Sequence, residues 1–343
     1  MLLRAGVKVN NYFYIDINPV AREVAQFRIR NLTATYPHLF PPSSWENAFD
    51  LPQDLTQVSA LHLAETLPIE PAQWVLTAGW PCQDFSSAGL GRIGKRAALL
   101  ENVIGILTGL RKLQPTFPVA YLLENVPMQD NFRYAHIRSP VYEEIVSKLG
   151  EPLVFDAAQV GSSAHRVRNY WTNLGPQASL QRLFSNIEVP HAALSSILGP
   201  LRHPMPVRSD EKVRERFHVN EPGKTRQILP TLVSYRQSRA FRPGKPGSIY
   251  DERVGYTEPA AIEREQMMGC TPSTTAALGM TDPMRMELLG QAMDMNALSA
   301  IWSLAEKFAL SSRSNPVMVA TGCHDCPAGC PECAVHLLNL CPA

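Results

Sequence analysis

Short apolar runs alternate with helical stretches over the first 174 residues, and this alternation constrains the fold more than any other feature. The strand-like runs cover residues 12–17, 74–78, 119–123 and 170–174, and the helical stretches cover residues 19–32, 99–113 and 141–149. Alternating strands and helices are typical of a parallel sheet with crossover helices. The sequence therefore predicts an α/β fold with a mostly parallel sheet and helices on both of its faces.

The remainder of the chain changes character. Pro and Arg are frequent from residue 175 to 256 and the periodicity there is poor, which predicts a small irregular lobe. Helical patterning returns over 257–310, and five of the seven cysteines crowd into 311–343. We therefore expect four segments, with the boundaries 1–174, 175–256, 257–310 and 311–343.

Composition excludes several classes of protein. The chain is 45% hydrophobic and 18% charged, which is typical of a folded globular protein and not of a disordered one. No apolar run reaches the ~20 residues that a membrane-spanning helix needs. The first residues lack the apolar core and the cleavage site of a signal peptide. We expect an intracellular protein without a membrane partner.

Positive charge is concentrated in one part of a nearly neutral chain. The net charge is +1, yet residues 201–250 contain eleven Lys and Arg against four Asp and Glu. A basic segment of this kind is a common footprint of a polyanion partner. A solvated, Arg-rich surface explains the count equally well.

Cysteines at two places in the chain suggest a functional site. Cys82 follows a predicted strand and the turn residues Gly79 and Pro81, at the sheet edge where α/β proteins build their sites. A lone cysteine can also be a small buried hydrophobe. In the tail, Cys323, Cys326, Cys330 and Cys333 could bind zinc. The short spacing between the two tail pairs also fits a disordered tail.

Three motifs in order resemble one family. Gly-x-Pro-Cys-Gln at 79–83, Glu-Asn-Val at 124–126 and His-Arg-Val-Arg at 165–168 are similar to motifs of the cytosine-C5 DNA methyltransferases. Residues 162–174 look most like the animal de novo class, whereas Pro-Cys-Gln is the commoner form of the cysteine motif. The resemblance implies a Rossmann-like, S-adenosylmethionine-dependent methyltransferase fold and DNA as partner.

The resemblance also implies catalytic roles. Cys82 would attack carbon 6 of cytosine, so that carbon 5 gains the electron density it needs to accept a methyl group. Glu124 would offset charge at N3 of the base. Arg168 would contact O2, with Arg166 in a supporting role. Carbon 6 is inaccessible in a stacked base, so the target nucleotide must leave the duplex.

The cofactor implied is S-adenosylmethionine. An acidic residue at the end of a strand commonly binds ribose hydroxyls, and Asp16 occupies such a position beside Ile17. Asp54 resembles the family residue that contacts the adenine amino group, and Leu55 and Pro81 would line the same pocket. Gln291 replaces the Asn of the last family motif. The family's Phe-x-Gly-x-Gly loop is expected upstream of Met1, so we expect a catalytic core truncated at its N-terminus.

The lobe at 175–256 would then recognise the target, with Arg236, Arg239 and Arg242 as the expected DNA contacts. Two alternatives stay open. The chain could be a catalytically inactive homologue that binds DNA or a partner methyltransferase, or it could methylate transfer RNA, as a close branch of the family does. In a eukaryote we expect the protein in the nucleus.

Overall fold

The structure is a computed structural model. It describes residues 2–4, 6–68, 73–80, 99–115, 119–129, 135–187, 189–190, 192–209, 220–235, 238–311, 319–320 and 341–342. The helices are α1 (Pro19–Thr35), α2 (Ala60–Thr66), α3 (Leu99–Leu113), α4 (Ala135–Leu149), α5 (Gln177–Asn186), α6 (Leu194–Ile197), α7 (Ala261–Met267), α8 (Asp282–Gln291) and α9 (Met295–Ser311). The strands are β1 (Val75–Gly79), β2 (Ala120–Asn125), β3 (Leu153–Asp156), β4 (Val167–Thr172), β5 (Arg202–Pro204), β6 (Ile249–Asp251), β7 (Gly255–Thr257), β8 (Val319–Ala320) and β9 (Cys341–Pro342).

The chain divides into two compact units. The first contains residues 1–154, 168–183 and 301–343, and the second contains residues 155–167 and 184–300. The boundary at 167–168 falls inside the His-Arg-Val-Arg motif. The functional division into core, recognition lobe and tail stays a prediction.

A four-stranded sheet with the order β1-β2-β4-β3 gives the protein its mixed α/β fold. β1 and β2 are parallel, and α3 connects them in the chain, as a parallel pair requires. β4 runs antiparallel to β2. β4 is thus an antiparallel member of the predicted mostly parallel sheet, and a short helical turn instead of a crossover helix follows β3.

Helix signals in the sequence have clear physical counterparts. Asn18 caps α1 by accepting a hydrogen bond from the Val20 amide, and Pro19 occupies the first turn, where its missing N–H costs nothing. α3 has the bounds predicted from its periodicity. Its apolar residues at helical spacing are buried in the core of the first unit, together with Leu123, Trp171 and others.

The predicted strand at 12–17 is not a strand. The segment is extended, but the Tyr12 and Tyr14 amides donate to the loop carbonyls of Ser44 and Ala48, at 2.8 Å each. Within the described residues these loop contacts take the place of a neighbouring strand. Apolar alternation predicted the extended backbone correctly, but it could not supply a partner for a ladder.

The second unit has its own sheet and core. β5, β6 and β7 form an antiparallel sheet, and a separate apolar cluster includes Leu229, Phe241, Ile249 and Met267. The expected irregular lobe thus contains a small regular sheet. No helix among the described residues is both long and apolar enough to cross a membrane.

Substitutions at two glycines test this packing, because we expect them to change the free energy of unfolding in opposite directions. A Cβ on Gly290 in α8 would lie 2.1 Å from the Ser234 backbone nitrogen, whereas a Cβ on Gly105 in α3 would meet nothing within 4 Å. We expect Gly290→Ala to lower the free energy of unfolding by about 2 kcal/mol or more through overpacking. Gly105→Ala should raise it by roughly 0.5–1 kcal/mol because alanine favours the helix. Urea unfolding of both variants measures the difference, and a stable Gly290→Ala would contradict the packing.

Candidate active site

The ends of β1 and β2 form the centre of the candidate site. The parallel register pairs Gly79 with Glu124, so the two strands end side by side. Beyond Gly79 the chain continues through Trp80 to Pro81 and Cys82, which both lie outside the described residues. The carboxyl ends of parallel strands are where open α/β sheets place their functional groups. The geometry therefore puts Glu124 beside the strand that leads to Cys82.

Glu124 forms an ion pair with Arg168, the second arginine of the Arg-x-Arg motif. The Glu124 Oε1 to Arg168 Nε distance is 2.7 Å, and Glu124 is only 7% exposed. The antiparallel register pairs Glu124 with Tyr170, so Arg168 is its diagonal neighbour on the same face of the sheet. Although this distance is short, Oε1 has no well-aligned hydrogen-bond donor among the described residues. The contact is thus electrostatic, and Oε1 retains the capacity to accept a hydrogen bond.

Asn125 anchors the start of the cysteine segment. Its Nδ2 donates to the Trp80 carbonyl at 3.2 Å, while its Oδ1 accepts from the Val126 amide. Trp80 is buried against Trp171 of β4, with ring centroids 5.5 Å apart. These contacts fix the backbone immediately before Pro81. The amide of the Glu-Asn-Val motif therefore has a structural task that complements the carboxylate.

Arg166 has a different environment from Arg168. It belongs to the second unit, is buried, and donates to the carbonyls of Ala292 at 2.5 Å and Gly290 at 3.4 Å. Its own amide donates to Asp156 Oδ1. These contacts agree with a bracing position. The roles expected for the two arginines stay predictions.

Asp294 is a residue that the sequence analysis missed. It is 1% exposed, and its Oδ1 accepts from Ser162 Oγ at 2.7 Å and from the Asn296 and Ala297 amides, which caps α9. Burial raises its pKa to about 6, although these hydrogen bonds and the charge of Arg166 oppose the shift. Only the pattern Asp-x-Asn-Ala at the start of a helix could have suggested the cap.

Asp16 and Ile17, the expected ribose-binding pair, lie at the end of an extended segment that is not a strand. Asp16 Oδ1 accepts from the Asn18 amide at 2.8 Å, and Oδ2 accepts from the Tyr14 hydroxyl at 3.2 Å. Burial and the adjacent Asp16 charge raise the pKa of Tyr14, so this hydroxyl stays a donor. Each carboxylate oxygen keeps a second acceptor site. Beside it, Ile17 is 70% exposed and offers an apolar surface.

Asp54 and Leu55 are held in a short helical turn. Asp54 Oδ1 accepts from both the hydroxyl and the amide of Thr56, which lowers the pKa of Asp54 and keeps it anionic. Leu55 packs on the core of the first unit. Gln291 is the exposed last residue of α8 in the second unit. The expected pocket of Asp16, Asp54, Leu55, Pro81 and Gln291 thus draws on both units, and its assembly stays a prediction.

Part of the chain, including the residues of the candidate site at Glu124 and Arg168, is similar to a known protein family. Residues 54–199 match the family model of the C-5 cytosine-specific DNA methylases. This part of the chain is therefore similar to the C-5 cytosine-specific DNA methylases. The matched range includes Glu124, Arg166 and Arg168. Comparison with curated protein sequences gives no match.

Comparison with solved structures finds a similar fold in a known methyltransferase. The chain is similar to the S. pombe Dnmt2 methyltransferase, with a TM-score of 0.56 and 15% identity, over 91% of this chain and 95% of that one. It is also similar to the methyltransferase EhMeth of Entamoeba histolytica, with a TM-score of 0.48 and 13% identity, over 86% and 89% of the two chains. A Dnmt2 mutant from Spodoptera frugiperda is similar with a TM-score of 0.46 and 16% identity, over 89% of this chain and 94% of that one.

The match to the methylase family model implies S-adenosylmethionine as the methyl donor. The residues present fit such a group. The anionic acceptor at Asp54 suits an amino group, and the half-buried carboxylate of Asp16 suits ribose hydroxyls. The exposed side chain of Ile17 suits the face of an aromatic base.

The expected DNA contacts are only partly described. Arg239 and Arg242 are exposed in the turn that precedes β6, as a phosphate-binding role requires. Arg236 lies outside the described residues, as do Cys323, Cys326, Cys330 and Cys333. Where the structure does describe side chains, no group of three or more His, Cys, Asp or Glu could hold a metal ion.

The Asp294 carboxyl makes the stability of the second unit depend on pH. Its pKa rises from 3.8 to about 6 on folding, so its contribution is fully present below pH 4 and is lost as the pH rises through 6. Two pKa units correspond to about 3 kcal/mol. We expect the free energy of unfolding of the wild type to fall by this order, relative to Asp294→Asn, between pH 4 and 8. Urea titrations across this range measure it, and parallel curves for the two proteins would contradict the expectation.

Proposed function

We propose that this chain transfers a methyl group from S-adenosylmethionine to carbon 5 of cytosine in DNA, through a covalent bond between Cys82 and the base. The ion pair between Glu124 and Arg168 carries the proposal. It sets a carboxylate and a guanidinium together at the end of β2, beside the strand that leads to Cys82. These two groups complement the polar edge of a cytosine, which offers an amino group, N3 and O2.

The proposed reaction begins with a nucleophilic addition. The Cys82 thiolate forms a bond to carbon 6, and the electron pair of the 5,6 double bond moves into the ring toward N3 and O2. Arg168 stabilises the charge at O2 by donating from its guanidinium. N3 takes up a proton from water, and Glu124 accepts hydrogen bonds from this N–H and from the amino group. The bound cofactor supplies an electrophilic methyl group.

Product release reverses the addition. After carbon 5 has accepted the methyl group, it loses its proton to a base, and the electron pair restores the 5,6 double bond. The bond between carbon 6 and the Cys82 sulfur breaks, and the thiolate leaves with its electrons. N3 returns its proton to water, the enzyme returns to its starting state, and the cytosine has exchanged the hydrogen on carbon 5 for a methyl group.

The substrate could also be RNA, and the inactive homologue is the other alternative. Cytosine presents the same atoms in DNA and in transfer RNA, so the Glu124 and Arg168 pair does not distinguish them. An inactive homologue would bind nucleic acid, or a partner methyltransferase, without methyl transfer. Activity and binding must therefore be measured on both kinds of nucleic acid.

A labelled-methyl assay tests the proposed activity and its nucleophile. We expect the full chain to place label on carbon 5 of cytosine in duplex DNA, with Cys82→Ser lowering the rate by at least about a thousandfold, because the nucleophile of a covalent mechanism is lost. Cys270, which is half-buried in the second unit, is the matched control, and Cys270→Ser should retain activity. Label on transfer RNA alone would replace DNA by RNA, and no label on either substrate would support the inactive homologue.

Calorimetry tests the predicted cofactor residues without relying on turnover. Asp16→Ala and Asp54→Ala each remove an anionic acceptor, which is typically worth about 1.5–3 kcal/mol. We therefore expect each variant to weaken S-adenosylmethionine binding by roughly 10- to 150-fold. Asp282→Ala, in the second unit, should leave the affinity unchanged. Wild-type affinity in both test variants would remove Asp16 and Asp54 from the cofactor site.

A further inference from the structure

One face of the small sheet in the second unit carries a row of exposed rings. The register pairs His203 of β5 with Tyr250 of β6, and Tyr250 with Tyr256 of β7. Directly opposite residues of an antiparallel sheet point to the same face. Tyr250 is 44% exposed and Tyr256 is 49% exposed, so the rings lie at the surface.

The other face of this sheet is fixed to the rest of the unit. Ile249 is buried in the apolar cluster, and Asp251 is buried beneath Arg202 and Arg253. Arg202 also binds Glu263 at 2.6 Å, which ties β5 to α7. Because the buried face anchors the strands, the exposed rings are held on a firm support. Loose surface tyrosines would lack this preorganisation.

Exposed basic residues lie in the segments that flank β6 in the sequence. Arg239, Arg242 and Lys245 are exposed in the segment that leads into β6, and the Arg253 side chain is 63% exposed on the turn between β6 and β7. The nearby exposed Glu252 is paired with His203 at 2.8 Å. Exposed aromatic rings on a sheet whose flanking segments carry exposed cations suit a polyanion that carries flat bases.

We propose that His203, Tyr250 and Tyr256 form a stacking platform for unpaired bases of a nucleic acid. This inference rests on the proposed function, since it specifies the kind of nucleic acid that the same protein binds. The planes of the two tyrosine rings are 68° apart and their centroids are 5.5 Å apart. Bases of a continuous duplex lie nearly parallel to each other and are stacked on both sides. Bases that stack on both tyrosines must be turned relative to each other, which a single-stranded segment allows.

Paired substitutions separate stacking from fold. Tyr250→Val with Tyr256→Val removes both aromatic faces but keeps residues that favour strands. Tyr250→Phe with Tyr256→Phe keeps the aromatic faces and removes only the hydroxyls. Thermal melting of the three full-length proteins shows whether each is folded. Binding is then measured by fluorescence anisotropy without S-adenosylmethionine, on one sequence as single-stranded DNA, single-stranded RNA and duplex DNA.

The platform predicts a selective loss. The double Val variant should bind at least one of the two single strands about tenfold or more weakly than the wild type does, because stacking on an aromatic side chain contributes that much per base. Its duplex affinity should change less than about twofold, and the double Phe variant should match the wild type. A loss of affinity for both single-stranded RNA and single-stranded DNA indicates that the platform does not distinguish ribose from deoxyribose. A loss for only one of them identifies the kind of strand that the platform binds.

Several outcomes would overturn the platform. These are unchanged single-strand binding by the Val variant, an equal loss on duplex, or an equal loss in the Phe variant. A wild type that binds neither single strand would do the same. The methyl-transfer assay is measured separately. A chain without methyl-transfer activity whose Val variant selectively loses affinity for single strands would contradict the proposed function but support the platform.

Discussion

The geometry of the candidate site depends on the register of three neighbouring strands. β1 lies parallel to β2 and β4 lies antiparallel to it, and this arrangement brings Gly79, Glu124 and Tyr170 into one row. Arg168 follows as the diagonal neighbour of Glu124, and the ion pair between them is a consequence. A slip of one residue in the pairing of β2 with β4 would turn one of these two side chains to the opposite face.

The buried ion pair is best understood as a device for positioning. Moving two charges out of water costs several kcal/mol per ion, and their attraction offsets this only in favourable geometry. Glu124 and Arg168 are both largely buried, yet no residue that the structure describes gives Oε1 a well-aligned donor. The pair is therefore not optimised for stability alone. Two charges held ready for another polar partner are what a site for a flat, hydrogen-bonding base requires.

Sequence reasoning succeeded where the signal is local and failed where it depends on distant segments. α3 has its predicted bounds because its apolar period and its core-facing side are properties of one segment. The segment at 12–17 was misassigned because a strand needs a partner, and its amides bond to a loop instead. The direction of β4 was missed for the same reason.

The candidate site divides in the same way. The motifs singled out Glu124 and Arg168 in the sequence, but the contact between the two side chains arises from strand pairing. Asp294 escaped notice because its importance comes from burial against Ser162 and Arg166, far away in the chain. The row of His203, Tyr250 and Tyr256 comes from three strands and is visible only when they pair.

The most direct test of the central claim is the identity of the atom that bonds to the base. An oligonucleotide with 5-fluorocytosine at the target accumulates the adduct, because fluorine cannot leave carbon 5 as a proton does. After incubation with S-adenosylmethionine and digestion, mass spectrometry should find the nucleotide on the peptide that contains Cys82. A nucleotide on another cysteine, or methylation of ordinary cytosine without any adduct, would contradict the account.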